Sequence, residues 1–284
     1  MTFQYEEKTH QIKGFSIFSR EWRQEESKAT LILIHGYGEY SKRYDHALEY
    51  LIKQKYNIFF PDLPAHGRSS NLPGRPKTYV PSFETFTDVM DEYIEYVKTD
   101  MNNRGISATR LFIFGHSMGG LITSMIAARR NDIDGYVTSS PSYIMKLTYV
   151  YTYWYLWFIL LFFFPNLILG RPTGNSSNPE MSASFKDDPL GFSGRACART
   201  SIEMAKWGWI EKDRELNVPV LLLHGTADKL IDIEGSRNKA KLLKNPHSKY
   251  IEYPNANHVL LEESNYLDIL KTIDEWYTSI IESQ

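Results

Sequence analysis

Residues 110–129 follow the order of a buried strand, a sharp turn centred on a serine, and a helix. The apolar run 111–114 predicts the strand, and residues 121–129 predict a helix that packs on a sheet. Between them stands the pentapeptide Gly-His-Ser-Met-Gly, whose central residue is Ser117. This order is typical of the nucleophile elbow, a strained turn that lifts a serine hydroxyl above a sheet edge. We therefore predict a nucleophilic Ser117, the alternative being a glycine-rich turn that only packs.

The two glycines of this pentapeptide have a predicted steric role. Gly115 and Gly119 stand two residues on either side of Ser117. In a strained elbow, a side chain at either position would collide with the neighbouring strand or helix, and glycine has none.

Strands and helices alternate along the chain, with one interruption. The strands are predicted at 10–20, 29–34, 56–60, 111–114, 135–139, 218–225 and 249–253, and the helices at 44–54, 82–97, 121–129, 234–243 and 265–281. Alternation predicts a doubly wound α/β sheet, and the continuous apolar run 29–34 indicates a parallel sheet covered on both faces. Residues 141–215 break the order. We predict a core formed by 1–140 and 216–284, with 141–215 inserted as a cap over the carboxyl edge of the sheet, where ligands bind.

The loops that follow the predicted strands hold candidates for a base and an acid, which a serine nucleophile requires. His258 follows the last strand and comes after both acid candidates, giving the chain order Ser, Asp, His. His35 and His224 are the alternative bases, and His224 is expected to be buried in its turn. Asp228 lies at the mouth of a strand and is the favoured acid. Asp232 is the alternative, and its position at the start of a helix is also that of a cap.

Two backbone N–H groups are expected to stabilise the oxyanion of the tetrahedral intermediate, each by roughly 3 kcal/mol. Met118 follows the nucleophile at the start of its helix. Tyr37 lies in the loop after the strand 29–34, between two glycines that suit a backbone bent towards a ligand.

Composition excludes several classes of protein. The net charge of −2, without a long basic run, argues against a nucleic-acid partner. The single cysteine, Cys197, excludes an intramolecular disulfide and a cysteine metal cluster, and fits a reducing compartment. Residues 1–8 lack the basic-then-apolar order of a signal peptide, so we expect a cytoplasmic protein.

Five segments together resemble the monoacylglycerol lipases of the α/β-hydrolase superfamily: 35–44, 115–120, 188–190, 224–228 and 258–260. The resemblance runs from about residue 10 to the C-terminus. It implies an α/β-hydrolase fold and an acyl-enzyme mechanism that needs no metal or cofactor. It also implies a catalytic triad of Ser117, Asp228 and His258, with Tyr37 and Met118 at the oxyanion hole. The implied substrate is a monoacylglycerol, which is cleaved to a fatty acid and glycerol.

The resemblance further implies that Glu39, Arg43 and His116 shape the polar, glycerol-facing end of the pocket. The sequence departs from the family at three positions. Phe185 replaces a glycerol-contacting tyrosine and cannot donate a hydrogen bond, Leu261 replaces a second histidine, and Ala65 replaces a glycine. The departures at Phe185 and Leu261 affect the expected head-group preference, and neither changes a member of the triad.

Residues 147–170 carry no charged side chain, and their length would allow a helix to span a bilayer. A single span would separate Ser117 from His258, and Pro165 interrupts the run, so we predict no span. Three interpretations remain: a buried cap helix, a surface that dips into a membrane or lipid droplet, and an oligomer contact. Tryptophan and tyrosine settle at lipid headgroups and favour the interfacial interpretation; those residues are Tyr149, Tyr151, Tyr153, Trp154, Tyr155 and Trp157. We also predict that the cap lines an apolar tunnel for one acyl chain.

Other activities of the same fold remain open, namely lysophospholipase, general carboxylesterase and acyltransferase. A peptidase would need an acidic anchor for a free amino terminus, and the cap candidates are Glu203, Glu211, Asp213 and Glu215. A lipid-binding module without catalysis is the alternative from a different class of protein.

Overall fold

The structure is a computed structural model that describes residues 4–106, 109–146, 154–164, 166–170, 188–191 and 195–283. Within these ranges the strands are β1 (Glu6–Ile12), β2 (Phe15–Trp22), β3 (Ala29–Ile34), β4 (Tyr56–Pro61), β5 (Leu111–His116), β6 (Gly135–Ser139), β7 (Ile168–Gly170), β8 (Arg195–Cys197), β9 (Val220–Gly225) and β10 (Lys249–Tyr253). The helices are α1 (Asp45–Lys53), α2 (Glu84–Asn103), α3 (Met118–Ala127), α4 (Trp154–Phe163), α5 (Ala198–Glu211), α6 (Ile233–Ala240) and α7 (Tyr266–Glu282).

The main sheet has the strand order β1-β2-β4-β3-β5-β6-β9-β10 in the described part of the chain. The pairings β1–β2 and β2–β4 are antiparallel, and those from β4 to β10 are parallel. Parallel neighbours need a crossover, and α1, α2, α3 and α6 lie between consecutive parallel strands. The predicted, mostly parallel α/β sheet with helices on both faces is therefore confirmed.

Alternate residues of the central strands pack into two separate cores, because successive side chains of a strand point to opposite faces. On β3, Ile32 and Ile34 face a core shared with α2 and α3. Leu31 and Leu33 face a second core shared with α1 and α7. Every residue of β3 is buried, which explains its continuous apolar sequence.

The chain leaves the sheet after β6 and returns at β9, which is the neighbour of β6. In between, β7 and β8 form an antiparallel pair outside the main sheet, and α5 packs against α3 and α4. Pro165, Phe185 and the segment 171–179 lie outside the described residues. Among the helices that the structure describes, none combines the length and the hydropathy needed to cross a bilayer.

Candidate active site

Ser117 occupies a strained turn between β5 and α3, with φ 53° and ψ −115°. Its N–H donates to the carbonyl of Ser139 at 2.9 Å, which ties the turn to β6. A Cβ atom on Gly115 would lie 2.2 Å from the carbonyl oxygen of Gly119, and one on Gly119 would lie 2.1 Å from that of Ile34. These contacts are the collisions expected from the sequence, so both positions require glycine.

The structure brings Ser117, His258 and Asp228 into one hydrogen-bonded row. His258 Nδ1 lies 2.6 Å from Asp228 Oδ2, and His258 Nε2 lies 2.8 Å from Ser117 Oγ. Because a carboxylate only accepts hydrogen bonds, Nδ1 carries the ring proton and Nε2 accepts the serine hydroxyl. All three side chains are buried. The arrangement therefore offers a hydroxyl, a base in the correct tautomer and an acid that fixes this tautomer.

The Asp228 carboxylate accepts hydrogen bonds from four directions. Oδ1 accepts the N–H groups of Leu230 and Ile231 at 2.8 and 2.9 Å. Oδ2 lies 2.6 Å from His258 Nδ1 and 3.2 Å from His224 Nε2. Burial by itself would raise the pKa of Asp228, but His258, His224 and the N–H of Ile231 hold it well below its ordinary value. The acid is therefore fixed as a carboxylate.

The alternative base and acid candidates have other roles in the structure. His35 donates from Nδ1 to the carbonyl of Gly36 at 2.8 Å and accepts the N–H of Leu63 at Nε2 at 2.9 Å, so the backbone uses both nitrogens. The Asp232 side chain caps α6 by accepting the N–H of Glu234 at 3.1 Å. His224 is buried in its turn, as expected, but its contact with Asp228 was not predicted.

The two proposed oxyanion donors lie at the carboxyl ends of neighbouring strands. Met118 begins α3, so its N–H belongs to the first turn, where backbone donors have no partner within the helix. Tyr37 follows β3, which pairs with β5. The Tyr37 hydroxyl lies 2.6 Å from Thr78 Oγ1 and accepts the N–H of Cys197 at 2.7 Å. These contacts fix the loop that carries the Tyr37 backbone.

Beside this loop the buried Glu39 forms an ion pair with Arg43, which is partly buried. Glu39 Oε2 accepts the N–H of Gly36 at 2.9 Å and the hydroxyl of Tyr44 at 2.6 Å, and Oε1 lies 3.3 Å from Arg43 Nη1. Arg43 Nε donates to Glu262 at 2.7 Å. Burial alone would raise the pKa of Glu39, but the Arg43 charge and the Tyr44 hydroxyl hold it well below its ordinary value. Sequence reasoning missed Glu262, which lies four residues after His258 at the end of a short 3-10 helix, Leu260–Glu262.

His116 is buried beside the base, with its ring centroid 5.0 Å from that of His258. Burial lowers the pKa of His116 to about 3, and the attraction of Glu39 only partly opposes this, so the ring is neutral. Among the described residues, His116 Nε2 has no hydrogen-bond partner. A buried polar atom of this kind is available to a ligand.

Two of the three departures from the family pattern lie in described positions, and Phe185 lies outside them. Ala65 has φ 63°, a left-handed backbone that favours glycine, so an alanine there is strained by roughly 1 kcal/mol. Leu261 is buried in the core next to α7, and its carbonyl lies 2.6 Å from His46 Nε2. Among the hydrogen bonds of the described residues, none joins Ala65 or Leu261 to Ser117, Asp228 or His258.

The site as a whole is equipped for acyl transfer. It combines a strained serine, a histidine whose Nε2 can take the serine proton, and backbone donors at the same sheet edge. Within the described ranges, no three or more His, Cys, Asp or Glu side chains form a group that could hold a metal ion.

Comparison with known proteins gives a consistent family assignment. The monoglyceride lipase of Mus musculus is 28% identical over an alignment of 290 positions, gaps included, that covers 96% of this chain and 90% of that protein. The crystal structure of the Paleococcus ferrophilus monoacylglycerol lipase matches with a TM-score of 0.79 at 27% identity, covering 93% of this chain and 99% of that one. A soluble variant of the Saccharomyces cerevisiae monoglyceride lipase, in complex with a substrate analogue, matches with a TM-score of 0.80 at 22% identity, covering 98% and 95%.

The family model described as serine aminopeptidase, S33, also named Hydrolase_4, matches residues 25–265. This span includes the elbow, both proposed oxyanion loops and all three members of the hydrogen-bonded row. The protein therefore has the α/β-hydrolase fold, and the chain belongs to the Hydrolase_4 family.

Proposed function

We propose that this chain is a serine hydrolase that cleaves a monoacylglycerol to a fatty acid and glycerol through an acyl-enzyme. The observation that carries the proposal is the row of hydrogen bonds from Ser117 through His258 to Asp228, with separations of 2.8 and 2.6 Å. The monoglyceride lipases that match nearly the whole chain support the substrate class.

In the acylation step, Ser117 Oγ attacks the ester carbonyl carbon while its proton passes to His258 Nε2. The backbone N–H groups of Tyr37 and Met118 stabilise the oxyanion, each by roughly 3 kcal/mol. The carbon–oxygen bond to glycerol then breaks, and His258 returns the proton to the leaving glycerol oxygen. Asp228 stays ionised throughout and stabilises the histidinium that forms.

In the deacylation step, water attacks the acyl carbonyl and gives its proton to His258. The second tetrahedral intermediate collapses, the bond to Ser117 Oγ breaks, and His258 protonates that oxygen. A fatty acid leaves and the enzyme is restored. The chemistry of both steps is carried by the side chains and backbone of this chain.

The polar end of the site supports a substrate with free hydroxyl groups. Glu39, Arg43 and His116 lie in and beside the loop after β3, and His116 presents an unpartnered Nε2 within the described residues. A glycerol hydroxyl could pair with this nitrogen, which would otherwise remain unsatisfied in a buried position. The apolar cap is then the part of the molecule that receives the acyl chain, since each buried CH₂ contributes about 0.8 kcal/mol.

We assign residues 1–140 and 216–284 to the hydrolase core and 141–215 to a cap. The support is topological, because the chain leaves and re-enters the sheet at neighbouring strands, and the strands that the structure describes in between, β7 and β8, pair with each other outside the main sheet.

The cap is also proposed to touch a membrane or lipid-droplet surface through 147–170. Among the described residues, six of the eight exposed large apolar side chains lie on or beside α4 and α5: Leu156, Ile159, Phe163, Phe164, Trp209 and Ile210. Lys212 Nζ stands 4.1 Å from the ring centroid of Trp209. A tryptophan beside a cation suits the headgroup level of a lipid surface, and such exposure argues against a fully buried cap helix.

The peptidase alternative has less support. The four acidic candidates in this part of the chain each lie beside a cation: Glu203 with Arg199, Glu211 with Arg214, Asp213 with Lys212 and Glu215 with Lys244. A carboxylate already paired in this way is a poorer anchor for a free amino terminus.

Turnover of the purified protein on matched monoacylglycerols, diacylglycerols, lysophospholipids and simple esters tests the proposed function. We expect the highest kcat/KM on monoacylglycerols and labelling of Ser117 by a fluorophosphonate. The Ser117→Ala variant serves as the control and should lose both activities. Labelling that persists in this variant, or faster turnover of lysophospholipids, would contradict the assignment.

A further inference from the structure

A second serine lies beside the nucleophile. Ser142 Oγ is 3.3 Å from Ser117 Oγ, and its side chain is buried with 1% exposure. Ser142 follows β6, three residues after that strand ends, and belongs to none of the motifs described above.

The proton of this contact comes from Ser142. The Ser117 hydroxyl has a single proton, and it is donated to His258 Nε2, because the other ring nitrogen carries its hydrogen towards Asp228. Ser117 Oγ can therefore only accept from Ser142. At 3.3 Å the bond is longer than a typical hydroxyl pair, so it is weak while Ser117 Oγ is uncharged.

The backbone fixes Ser142 in this place. Its N–H donates to the carbonyl of Ser117 at 3.1 Å. From the other side, α5 packs closely on its carbonyl, since a Cβ atom on Gly208 would lie 2.3 Å from the Ser142 oxygen. The hydroxyl is thus held against the reacting oxygen by the nucleophile loop and by a helix of the cap.

We propose that Ser142 is a further catalytic residue, which donates a hydrogen bond to Ser117 Oγ as that oxygen leaves the acyl-enzyme and so accelerates deacylation. This inference rests on the acyl-enzyme mechanism of the proposed function. In the acyl-enzyme, Ser117 Oγ is an ester oxygen whose lone pair is shared with the carbonyl group, which makes it a poor acceptor. In the transition state for deacylation the same oxygen gains negative charge and becomes a strong acceptor.

The two half-reactions should respond differently. Before acylation Ser117 Oγ already accepts this hydrogen bond. A donor on the attacking oxygen lowers its nucleophilicity while it also stabilises the charge that develops, so the two effects on acylation largely offset each other. In deacylation the bond is gained on the way to the transition state. A hydrogen bond to a charged group, weakened by imperfect geometry, predicts about a fivefold effect on deacylation alone.

Stopped-flow hydrolysis of a soluble p-nitrophenyl ester separates the two rates. The burst gives the acylation rate constant and the concentration of active sites, and the steady-state rate per active site gives deacylation. We expect Ser142→Ala to lower the steady-state rate about fivefold, with the burst rate constant within twofold of wild type. Intact-mass spectrometry should show more acyl-enzyme at steady state. Ser142→Thr keeps the hydroxyl and should hold deacylation near the wild-type rate.

Ser140→Ala is the matched control. Ser140 is a buried serine of the same loop whose hydroxyl has no hydrogen-bond partner among the described residues, so both rate constants should stay unchanged. Equal losses in both steps, or no change in deacylation, for Ser142→Ala would overturn the inference. Normalisation to the burst removes any fraction that fails to fold. A wild type that shows neither a burst nor fluorophosphonate labelling of Ser117 would instead contradict the proposed acyl-enzyme itself.

Discussion

The carboxyl edge of the sheet and the proposed cap differ in the polarity of their side chains and in how far these are buried. At the sheet edge, the carboxylates of Asp228 and Glu39 are buried, and each accepts hydrogen bonds from several directions. In the cap, α4 contains no ionisable side chain other than a tyrosine, and Leu156 and Phe163 expose 49% and 69% of their surface. The comparison indicates that the chemistry depends on fixed polar groups, whereas the cap offers an apolar surface without such constraints.

The largest effect on activity is expected from a change at Asp228, the carboxylate that is hydrogen-bonded to His258. Asp228→Asn should lower kcat/KM on a soluble ester by about 10⁴-fold, because an amide no longer fixes the tautomer of His258. Asp232→Asn is the control, since asparagine caps a helix as well as aspartate does, and its activity should be retained. The reverse ranking of these two variants would transfer the role of the acid to Asp232.

The tight packing around the elbow can be tested by adding a methyl group at one of its glycines and measuring the loss of stability. Gly119→Ala should lower the free energy of unfolding in urea by about 3 kcal/mol or more, since its Cβ would meet the Ile34 carbonyl oxygen at 2.1 Å. Gly74 has a positive φ, but a Cβ atom there would meet no other described part of the molecule within 4 Å, so Gly74→Ala should lower the free energy of unfolding by only about 1 kcal/mol. Similar losses in the two variants would show that the elbow is less tightly packed than these distances indicate.

A buried carboxylate on β2, Glu21, should make the stability of the fold sensitive to acid. Burial alone would raise the pKa of Glu21, but His10, Ser19 and Arg23 lower it to about 2 from 4.5. Because the folded pKa is depressed, this group contributes stability above pH 4.5 that is lost as the pH falls towards 2. The contribution is on the order of 3 kcal/mol.

Urea unfolding between pH 6 and 2 checks this expectation. The difference between wild type and Glu21→Gln should shrink steadily below pH 4.5. Glu26 is exposed, so Glu26→Gln should follow the wild-type curve. A constant difference between wild type and Glu21→Gln across this range would mean that the charge of Glu21 is not what stabilises the core.

The smallest effect is expected from single substitutions in the cap. Leu156→Ser should weaken binding to anionic lipid vesicles about fivefold, since about 1 kcal/mol of apolar contact is lost. Leu267 on α7 is 51% exposed and is a matched control, so Leu267→Ser should bind vesicles as wild type does. Both variants should hydrolyse a soluble ester normally. Unchanged vesicle binding by Leu156→Ser, together with a smaller oligomer, would make this face an interchain contact.

Local sequence was sufficient for the elements that surround the nucleophile. The strand β5, the elbow and α3 are adjacent in the chain, so residue spacing alone predicted them and the need for Gly115 and Gly119. The order of Ser117, Asp228 and His258 was also predicted, because each follows a strand and parallel strands end at one edge of the sheet. The choice of Asp228 over Asp232 rested on the same argument, and the structure assigns Asp232 to a helix cap.

Contacts between distant residues could not be predicted in this way. Arg43 meets Glu262, His224 shares the Asp228 carboxylate, and Ser142 reaches Ser117 only through the packing of β5 beside β6. No periodicity in the chain encodes the distance between two loops that follow different strands.

Residue spacing and turn chemistry were enough to predict the α/β architecture, the proposed nucleophile and the proposed base and acid, because hydrophobic period and turn chemistry are local properties. The folded structure was needed to show which polar groups form hydrogen bonds, that His116 Nε2 has no hydrogen-bond partner among the described residues, and which described apolar side chains are exposed to solvent. These outcomes depend on distances of a few ångströms between segments far apart in the chain, and hydrogen bonds and desolvation are sensitive to distances on that scale.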